Sequence, residues 1–333
     1  MRILLWHVHG SWTTAFVQGA HIYGHTYLVP VNAERDAYGL GRARTYPWPD
    51  EVVEVSPAEL RYADIDVVLL QRPKERELAR RWLGRDLPPT VYVEHNTPRG
   101  AVPATRHPMA DRDDLLLVHV THFNELMWDC GRTRTAVVEH GVPDPGHRYT
   151  GELARFGMAV NEPVRRGRVT GTDLLPRFAA VAPLDVYGIG TAGLAGAAGL
   201  AAAGTTLAGA DITTHDDPPQ SVLHEQLARR RAYLHLTRWT SLGLSLLEAM
   251  FLGVPVLALA VTEAVRAVPS GAGVLSTRVD ELVDAAHWLL ADEPAAHRLG
   301  AAARSAALER YGLPRFLADW DRLLKEVTSC VSP

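Results

Sequence analysis

A carboxylate lies in the middle of an apolar segment of the chain. Glu248 belongs to "RWTSLGLSLLEAMFLGVP", residues 238–255, in which most of the other side chains are apolar. An ionised carboxylate that is buried without a partner is strongly destabilising. The segment therefore predicts a specific partner for Glu248.

The pattern around Glu248 predicts a loop, a helix over residues 243–252, a turn and a buried strand. Gly243 and Leu244 fall at the start of this helix, where backbone N–H groups have no internal acceptors and attract anions. Glu248 follows about one turn later, and a carboxylate suits the paired hydroxyls of a ribose. Amides for a diphosphate and a carboxylate for a ribose together indicate a pocket for a nucleotide sugar.

A compact group of arginines occupies "NEPVRRGRVTGTD", residues 161–173, between a predicted strand and a predicted helix. Arg165 and Arg166 are adjacent, and Gly167 alone separates them from Arg168. Guanidinium groups bind phosphate oxygens in a bidentate manner, and a helix start adds backbone donors. We favour a phosphate site here over an exposed basic loop.

Two further motifs keep other enzyme classes open. In "YGIGTAG", Gly188, Gly190 and Gly193 follow a predicted strand, and Asp211 lies downstream, as in a dinucleotide-binding fingerprint. A glycine turn facing a cleft is the simpler interpretation. Five histidines lie near the ends of predicted strands and offer ligands for a metal hydrolase, although polar residues lining loops are the simpler explanation: His7, His9, His95, His119 and His140.

A basic amphipathic segment, "RPKERELARRWLGR" at residues 72–85, is compatible with an anionic membrane surface. A solvated charged face over a buried apolar stripe is the more common explanation. In the first interpretation the arginines contact lipid headgroups, and in the second they face water.

The elements that must position these residues follow from short apolar runs that alternate with helical patterns. Continuous apolar runs are typical of strands buried on both faces of a parallel sheet. The predicted strands are 2–8, 26–31, 66–71, 90–94, 115–120, 135–139, 157–160, 184–190, 231–236, 254–260 and 272–275. The predicted helices are 74–85, 122–129, 172–181, 219–230, 243–252, 279–291, 294–310 and 314–327. A Pro- and Gly-rich break at 140–152 separates two α/β domains, and the Ala/Gly-rich residues 192–210 receive no element.

Length and composition agree with two globular domains and restrict the partners. The 333 residues exceed one ordinary core, and a net charge of −4 provides no field for nucleic acid. Cys130 and Cys330 are the two cysteines, too few for a disulfide framework. The N-terminal sequence lacks the features of a signal peptide. We expect a cytoplasmic protein. Peripheral contact at the inner membrane face through residues 72–85 stays open as the alternative for the basic segment.

Residues 240–256, "TSLGLSLLEAMFLGVPV", resemble the signature Glu-x-x-Gly-Leu-x-x-x-Glu-Ala-x-x-x-Gly-x-Pro-Val of GT-B glycosyltransferases of family 4, the retaining "group 1" type. The similarity extends through 272–292 and 297–320. It implies two Rossmann-like, doubly wound domains facing a central cleft. They are an acceptor-binding domain (1–145) and a donor-binding domain (146–312), and a C-terminal helix (313–333) crosses back to the first domain.

The resemblance also implies roles for individual residues. Glu248 matches the second carboxylate of the family's paired glutamates, the one that holds the donor ribose, and Thr240 stands where relatives have the first. The implied donor-binding residues are Arg165, Arg166, Gly188, Thr240, Ser241, Gly243, Leu244, Ser245 and Glu248. His95 and Arg166 are the implied catalytic residues, and a flexible first loop of His9, Gly10, Ser11 and Trp12 is implied near the acceptor.

The implied reaction transfers a sugar from a nucleoside-diphosphate sugar to a hydroxyl group of a small-molecule, glycan or lipid-linked acceptor. Retention of anomeric configuration, with no metal and no cofactor, is part of the expectation. A non-catalytic GT-B protein that binds a sugar nucleotide or a partner is the alternative, and Thr240 supports it. An NAD-dependent oxidoreductase that uses Gly188, Gly190 and Gly193 is the third interpretation.

Overall fold

A computed structural model describes residues 1–194 and 211–329. Most of the Ala/Gly-rich segment and Cys330 lie outside these residues. Contacts between Cα atoms divide the chain into unit 1, which comprises Met1–Pro143 and Tyr311–Pro333, and unit 2, which comprises Asp144–Arg310. The predicted domain boundaries, after residues 145 and 312, each lie two residues beyond this division.

Unit 1 contains a seven-stranded parallel sheet in the order β3-β2-β1-β4-β5-β6-β7. Its strands are Arg2–Leu5 (β1), Thr26–Pro30 (β2), Val52–Val55 (β3), Val67–Leu70 (β4), Thr90–Glu94 (β5), Leu116–His119 (β6) and Thr135–Val137 (β7). Strand β3 is not among the predicted strands. This edge strand has a mixture of buried and exposed side chains, so it lacks the continuous apolar run of a central strand.

The helices of unit 1 cover the sheet and include the C-terminal part of the chain. They are Gly10–Val17 (α1), Gly19–Tyr23 (α2), Pro57–Leu60 (α3), Pro73–Leu83 (α4), His122–Met127 (α5) and the C-terminal helix, Leu313–Ser329. The ring of Trp320 lies 5.7 Å from that of Trp12 and 5.2 Å from that of Phe16. This aromatic cluster attaches the C-terminal helix to α1.

Unit 2 contains a six-stranded parallel sheet in the order β10-β9-β8-β11-β12-β13. Its strands are Leu153–Ala159 (β8), Leu184–Gly188 (β9), Ile212–Asp216 (β10), Arg230–His235 (β11), Val256–Leu259 (β12) and Gly273–Ser276 (β13). Strand β10, which is also an edge strand with polar side chains, is not among the predicted strands. The strand order reverses between β8 and β11, and in doubly wound sheets ligands bind at the carboxyl edge of such a switch point.

The helices of unit 2 are Pro163–Arg166 (α6), Leu175–Ala179 (α7), Gln220–Ala228 (α8), Leu244–Leu252 (α9), Ala264–Ala267 (α10), Val279–Ala291 (α11) and Glu293–Tyr311 (α12). The helix predicted over 172–181 is shorter than expected. Its first turn is a 3₁₀ segment, Thr172–Leu174, and α7 begins next to Pro176, whose missing N–H cannot continue the preceding turn.

A close contact between α12 and the end of α9 fixes the helix that carries Glu248. Gly253 ends α9 in the left-handed region, with φ of 85°. A Cβ atom on Gly300 of α12 would lie 1.9 Å from the carbonyl oxygen of Gly253. Arg304 of α12 also donates to the carbonyl oxygen of Phe251. Glycine at position 300 therefore allows α12 to pack directly on the end of α9.

No helix within 1–194 and 211–329 is long and apolar enough to cross a lipid bilayer. The longest of them, α12, carries charged side chains throughout its length. The structure thus provides no membrane-spanning helix in the described part of the chain.

The substitution Gly300→Ala should lower the free energy of unfolding by about 1–3 kcal/mol, because the new methyl group overlaps the carbonyl of Gly253. Urea denaturation followed by tryptophan fluorescence measures this change. Ser305→Ala, at an exposed position of the same helix, is the matched control and should change stability by less than about 0.5 kcal/mol. Equal stability of Gly300→Ala and the wild type would contradict the packing.

Candidate functional site

The partner that the sequence demands for Glu248 lies on α8. Oε1 of Glu248 accepts a hydrogen bond of 3.0 Å from Nε2 of Gln220, and Oε2 lies 3.4 Å from Nε2 of His224. Glu248 is 6% exposed. Gln220 and His224 are four residues apart and so share one face of α8. Neither residue is predicted from the sequence, although their spacing in the predicted helix 219–230 is a signal that they share one face.

The first turn of α9 is uncapped by side chains. Gly243 is the N-cap residue and no side chain accepts from the following amides, so the N–H groups of Leu244 and Ser245 lack intrahelical acceptors. A Cβ atom on Gly243 would lie 2.8 Å from the ring of His235, at the end of β11, which explains the glycine. The turn therefore presents free donors and the positive end of the helix dipole.

The side chain of Ser245 attaches this turn to the switch point of the sheet. Its hydroxyl accepts a hydrogen bond of 2.9 Å from Tyr233 of β11 and donates one of 3.3 Å to the carbonyl of Ala159 in β8. These two strands flank the reversal of strand order. The start of α9 is thus held where a doubly wound sheet binds its ligand.

The three arginines after β8 differ in their partners. Exposed Arg165 pairs with Glu162 at 3.1 Å, and Arg168 pairs with Asp173 at 2.9 Å. Arg166 is half-buried, and its guanidinium group forms no hydrogen bond or ion pair with any residue that the structure describes. Burial, followed by the charge of Arg165, lowers the pKa of Arg166. A partly desolvated cation without a carboxylate partner suits an anionic ligand.

Hydrogen bonds also tie the loop after β11 to the loop after β8. The N–H of Arg238 donates to the carbonyl of Val169 at 2.8 Å, and its guanidinium group binds Asp173 at 2.6 and 3.0 Å. Thr240 is half-buried in this loop and Ser241 is buried. Thr240, where the resemblance predicts a carboxylate, therefore lies in a loop that is hydrogen-bonded to residues 161–173.

Gly188 ends β9 with φ of 127°, and a Cβ atom there would lie 2.4 Å from the carbonyl oxygen of Val160. Its backbone thus closely approaches the chain after β8. The structure brings a group of predicted donor-binding residues to loops and helix starts at the carboxyl edge of the sheet of unit 2: Arg165, Arg166, Gly188, Thr240, Ser241, Gly243, Leu244 and Ser245. Their donor-binding roles stay predictions.

The geometry does not favour a dinucleotide site at the glycine motif. The fingerprint belongs after a strand at the switch point, whereas Gly188, Gly190 and Gly193 follow β9, which is one strand away. Asp211 precedes β10 and pairs with Arg155 at 3.7 Å. It therefore lies at the amino edge of the sheet, opposite to the edge where a ribose-binding acid is needed.

Three histidines cluster at the carboxyl edge of the sheet of unit 1. The ring of His95 lies 4.1 Å from that of His9. Burial lowers the pKa of His9 and of His140 to about 4 and holds that of His95 well below its ordinary value. Nε2 of His95 and Nδ1 of His140 are buried without a hydrogen-bond partner among the described residues. Neutral imidazoles with unused nitrogen atoms can bind a hydroxyl group.

The prediction of a flexible first loop is wrong for most of its residues. Helix α1 begins at Gly10, directly after His9, and Ser11 lies 3.4 Å from the hydroxyl of Tyr46. Trp12 is 1% exposed and stacks on Phe16 with ring centroids 5.0 Å apart. This apolar side chain is buried in the aromatic cluster, and that packing favours a helix over an open loop. Its edge still contacts His95, at 4.9 Å between centroids.

The histidines do not support the metal-hydrolase interpretation. Nδ1 of His7 lies 3.3 Å from the carbonyl oxygen of Gly41, and Nε2 of His119 lies 3.5 Å from the sulfur of Cys130. In residues 1–194 and 211–329, no group of three or more His, Cys, Asp or Glu side chains is placed to hold a metal ion. His7 and His119 therefore make contacts within the fold.

The basic segment at 72–85 forms α4 and its flanks. Arg76 and Arg80 both approach Asp114, and Arg72 pairs with Glu75 at 2.7 Å. The opposite side of the helix buries Leu78 and Leu83. Ion pairs over a buried apolar stripe account for most of this pattern, and the membrane contact stays a prediction.

The neutral histidines should make stability depend on pH. The pKa of His140 is about 4 in the folded chain and about 6.5 when unfolded, so the unfolded chain binds more protons between these values. The free energy of unfolding should fall as the pH drops from 6.5 towards 4, by at most ~1.4 kcal/mol per pH unit for each such histidine.

The substitution His140→Gln should reduce this pH dependence, as measured by urea midpoints between about pH 5 and 7.5. His21→Gln, at an exposed position, is the control and should leave the dependence unchanged. An unaltered dependence in His140→Gln would show that this imidazole is not held neutral by the fold.

Comparisons with known proteins agree with this geometry. Residues 207–306, which include α8 and α9, match the family model described as "Glycosyl transferases group 1". No curated protein matches the chain in sequence.

Solved structures resemble the chain along nearly its whole length. Sucrose-phosphate synthase from Thermosynechococcus elongatus has a TM-score of 0.72 at 13% identity, covering 99% of this chain and 100% of that one. Anabaena HepE in complex with UDP and glucose has a TM-score of 0.71 at 14% identity, covering 98% and 100%. A glycosyltransferase from Rickettsia africae has a TM-score of 0.67 at 11% identity, covering 98% and 97%.

At such identities the solved structures show the fold, and they confirm the predicted two-domain GT-B architecture of parallel, Rossmann-like sheets. The family match bears on the enzyme class, since it covers the segment that contains Glu248. It confirms the prediction that the chain is a glycosyltransferase.

Proposed function

We propose that the chain transfers a sugar from a nucleoside-diphosphate sugar to a hydroxyl group of an acceptor, with retention of configuration and without a metal or cofactor. One observation carries the proposal. The unpaired guanidinium of Arg166 lies in the loop after β8, at the same sheet edge as the uncapped start of α9, and Glu248 follows one turn along that helix.

The charges at this edge of the sheet support a nucleoside-diphosphate sugar as the donor. Breaking the bond between the anomeric carbon and the diphosphate places negative charge on the leaving phosphate. Arg166 and the amides of Leu244 and Ser245 supply fixed positive potential there. These groups provide what a metal ion would otherwise contribute, which supports a metal-independent reaction. The UDP and glucose in the Anabaena relative support this class of donor.

The acceptor side of the proposal rests on His95. Its neutral imidazole has an unused, buried Nε2 at the carboxyl edge of the sheet of unit 1. Such a nitrogen atom can hydrogen-bond a hydroxyl group of donor or acceptor. In a retaining transfer the hydroxyl oxygen attacks the anomeric carbon on the face that the diphosphate leaves. The departing phosphate oxygen takes the proton, so no protein nucleophile is required. A small molecule, a glycan or a lipid-linked sugar can supply the hydroxyl.

Thr240 supports the alternative of binding without catalysis, because a neutral hydroxyl replaces the carboxylate that group 1 relatives are expected to use. Release of nucleoside diphosphate with panels of donors and acceptors separates the two. Release that requires an acceptor and persists in EDTA supports metal-independent transfer. Tight donor binding without release in any combination supports the non-catalytic alternative.

A thermal-shift screen identifies the base. We expect UDP, GDP or ADP to raise the melting temperature, and NAD to leave it unchanged. Stabilisation by NAD alone would restore the oxidoreductase interpretation and contradict the proposal.

The substitution Glu248→Gln should weaken binding of that nucleoside diphosphate by about 1–3 kcal/mol, because the amide replaces one acceptor of the ribose hydroxyls with a donor. Isothermal titration calorimetry measures the difference. Glu225→Gln, on the exposed side of α8, is the matched control and should bind normally. Unchanged affinity in Glu248→Gln would remove this carboxylate from the site.

The substitution Arg166→Ala should weaken binding of the diphosphate by roughly 1.5–3 kcal/mol, and binding of the nucleoside much less, because it removes a charged hydrogen-bond donor. Arg168→Ala removes the same charge from the same loop, but this arginine pairs with Asp173, which keeps Arg238 as a partner. It should have little effect. Equal losses for diphosphate and nucleoside in Arg166→Ala would place the residue away from the phosphates.

A further inference from the structure

We propose that Gln220 and His224 of α8 are positioning residues that orient the carboxylate of Glu248, and that this pair sets the preference for ribose over 2′-deoxyribose. The inference rests on the proposed function, because it assumes that Glu248 receives the ribose. It adds a specificity function for a helix that the signature around Glu248 does not include.

The two oxygens of the Glu248 carboxylate have different neighbours on α8. Gln220 donates to Oε1 at 3.0 Å, and His224 lies 3.4 Å from Oε2, so each oxygen has one protein neighbour. An ionised carboxylate offers about four acceptor positions. One position therefore remains on each oxygen, which matches the two neighbouring hydroxyls of a ribose.

The anchoring helix is itself held firmly. Leu227 and Ala228 of α8 are buried, and the carbonyl of Ala228 accepts from the N–H groups of Thr150 and Gly151 at 2.9 and 3.2 Å. A glutamate side chain has three rotatable bonds and loses its orientation easily when unsupported. Two donors on a fixed helix remove that freedom before the nucleotide binds, and this preorganisation favours one geometry of the ribose.

Access to the carboxylate is narrow. The side chain of Glu248 is 8% exposed and that of His224 is 9% exposed. A ligand can reach only a small part of the carboxylate, so a rotation of the group would misalign the remaining lone pairs. If Gln220 and His224 only satisfy the buried carboxylate, their removal should lower stability and leave the ribose preference unchanged. If they position the carboxylate, their removal should change the preference for ribose over 2′-deoxyribose.

The experiment compares ribose and deoxyribose ligands in variants of α8. Calorimetry with UDP, GDP and ADP and with their 2′-deoxy forms is performed on the wild type, Gln220→Ala, His224→Ala and His224→Gln. The pair whose ribonucleotide binds the wild type best is used. Glu225→Gln is the control on the same helix, and circular dichroism verifies folding.

We expect the wild type to prefer the ribonucleotide by roughly tenfold, the value of one hydrogen bond to a charged group. The preference should fall to about twofold or less in both alanine variants. It should be largely retained in His224→Gln, whose amide still donates, and in the control. In a Glu248→Gln background, Gln220→Ala should produce no further change in the preference.

A tenfold preference that persists in both alanine variants would overturn the inference and leave the proposed function standing. If His224→Ala fails to fold, Gln220→Ala and His224→Gln decide the question by the same ratio. If no nucleoside diphosphate binds the wild type, the proposed function fails and the positioning role fails with it.

Discussion

The buried carboxylate of Glu248 is the constraint on which the architecture of unit 2 depends. An apolar helix can carry such a group only if donors come to it, and here they come from Gln220 and His224 on the adjacent helix. That requirement fixes α8 against α9, while Ser245 fixes the start of α9 to β8 and β11. The helix start, the carboxylate and the strand ends thereby form one rigid arrangement.

The guanidinium group of Arg166 is the second charge that this account depends on. Around it the fold pairs other cations with carboxylates, and the guanidinium group of the half-buried Arg166 remains without a partner in the described structure. A partly desolvated charge of this kind is unfavourable until an anion binds. In unit 1 burial has a different result, because it keeps the imidazoles of His9, His95 and His140 neutral. An unpaired guanidinium group suits the diphosphate of the proposed donor, and neutral imidazoles suit a hydroxyl group, as the proposed glycosyl transfer requires.

Much of the fold could be predicted from the sequence, since central strands of parallel sheets are continuous apolar runs. The edge strands β3 and β10 could not, because one face of each is exposed and their patterns are mixed. The residues at 243–248 could be found because one helix start brings them together locally. The spacing of Gln220 and His224 places them on one helix face, but the pairing of that face with Glu248 depends on tertiary contacts, which a local pattern does not encode. The same holds for the helix that begins at Gly10 and for the difference between Arg165 and Arg166.

A crystal structure with the nucleoside diphosphate that stabilises the chain most is the most direct test of this account. We expect both ribose hydroxyls within about 3 Å of the carboxylate of Glu248, with Gln220 and His224 still in place behind it. The diphosphate should contact the amides at 244 and 245 and the guanidinium group of Arg166. A nucleotide bound elsewhere, or a ribose turned away from Glu248, would contradict the central claim.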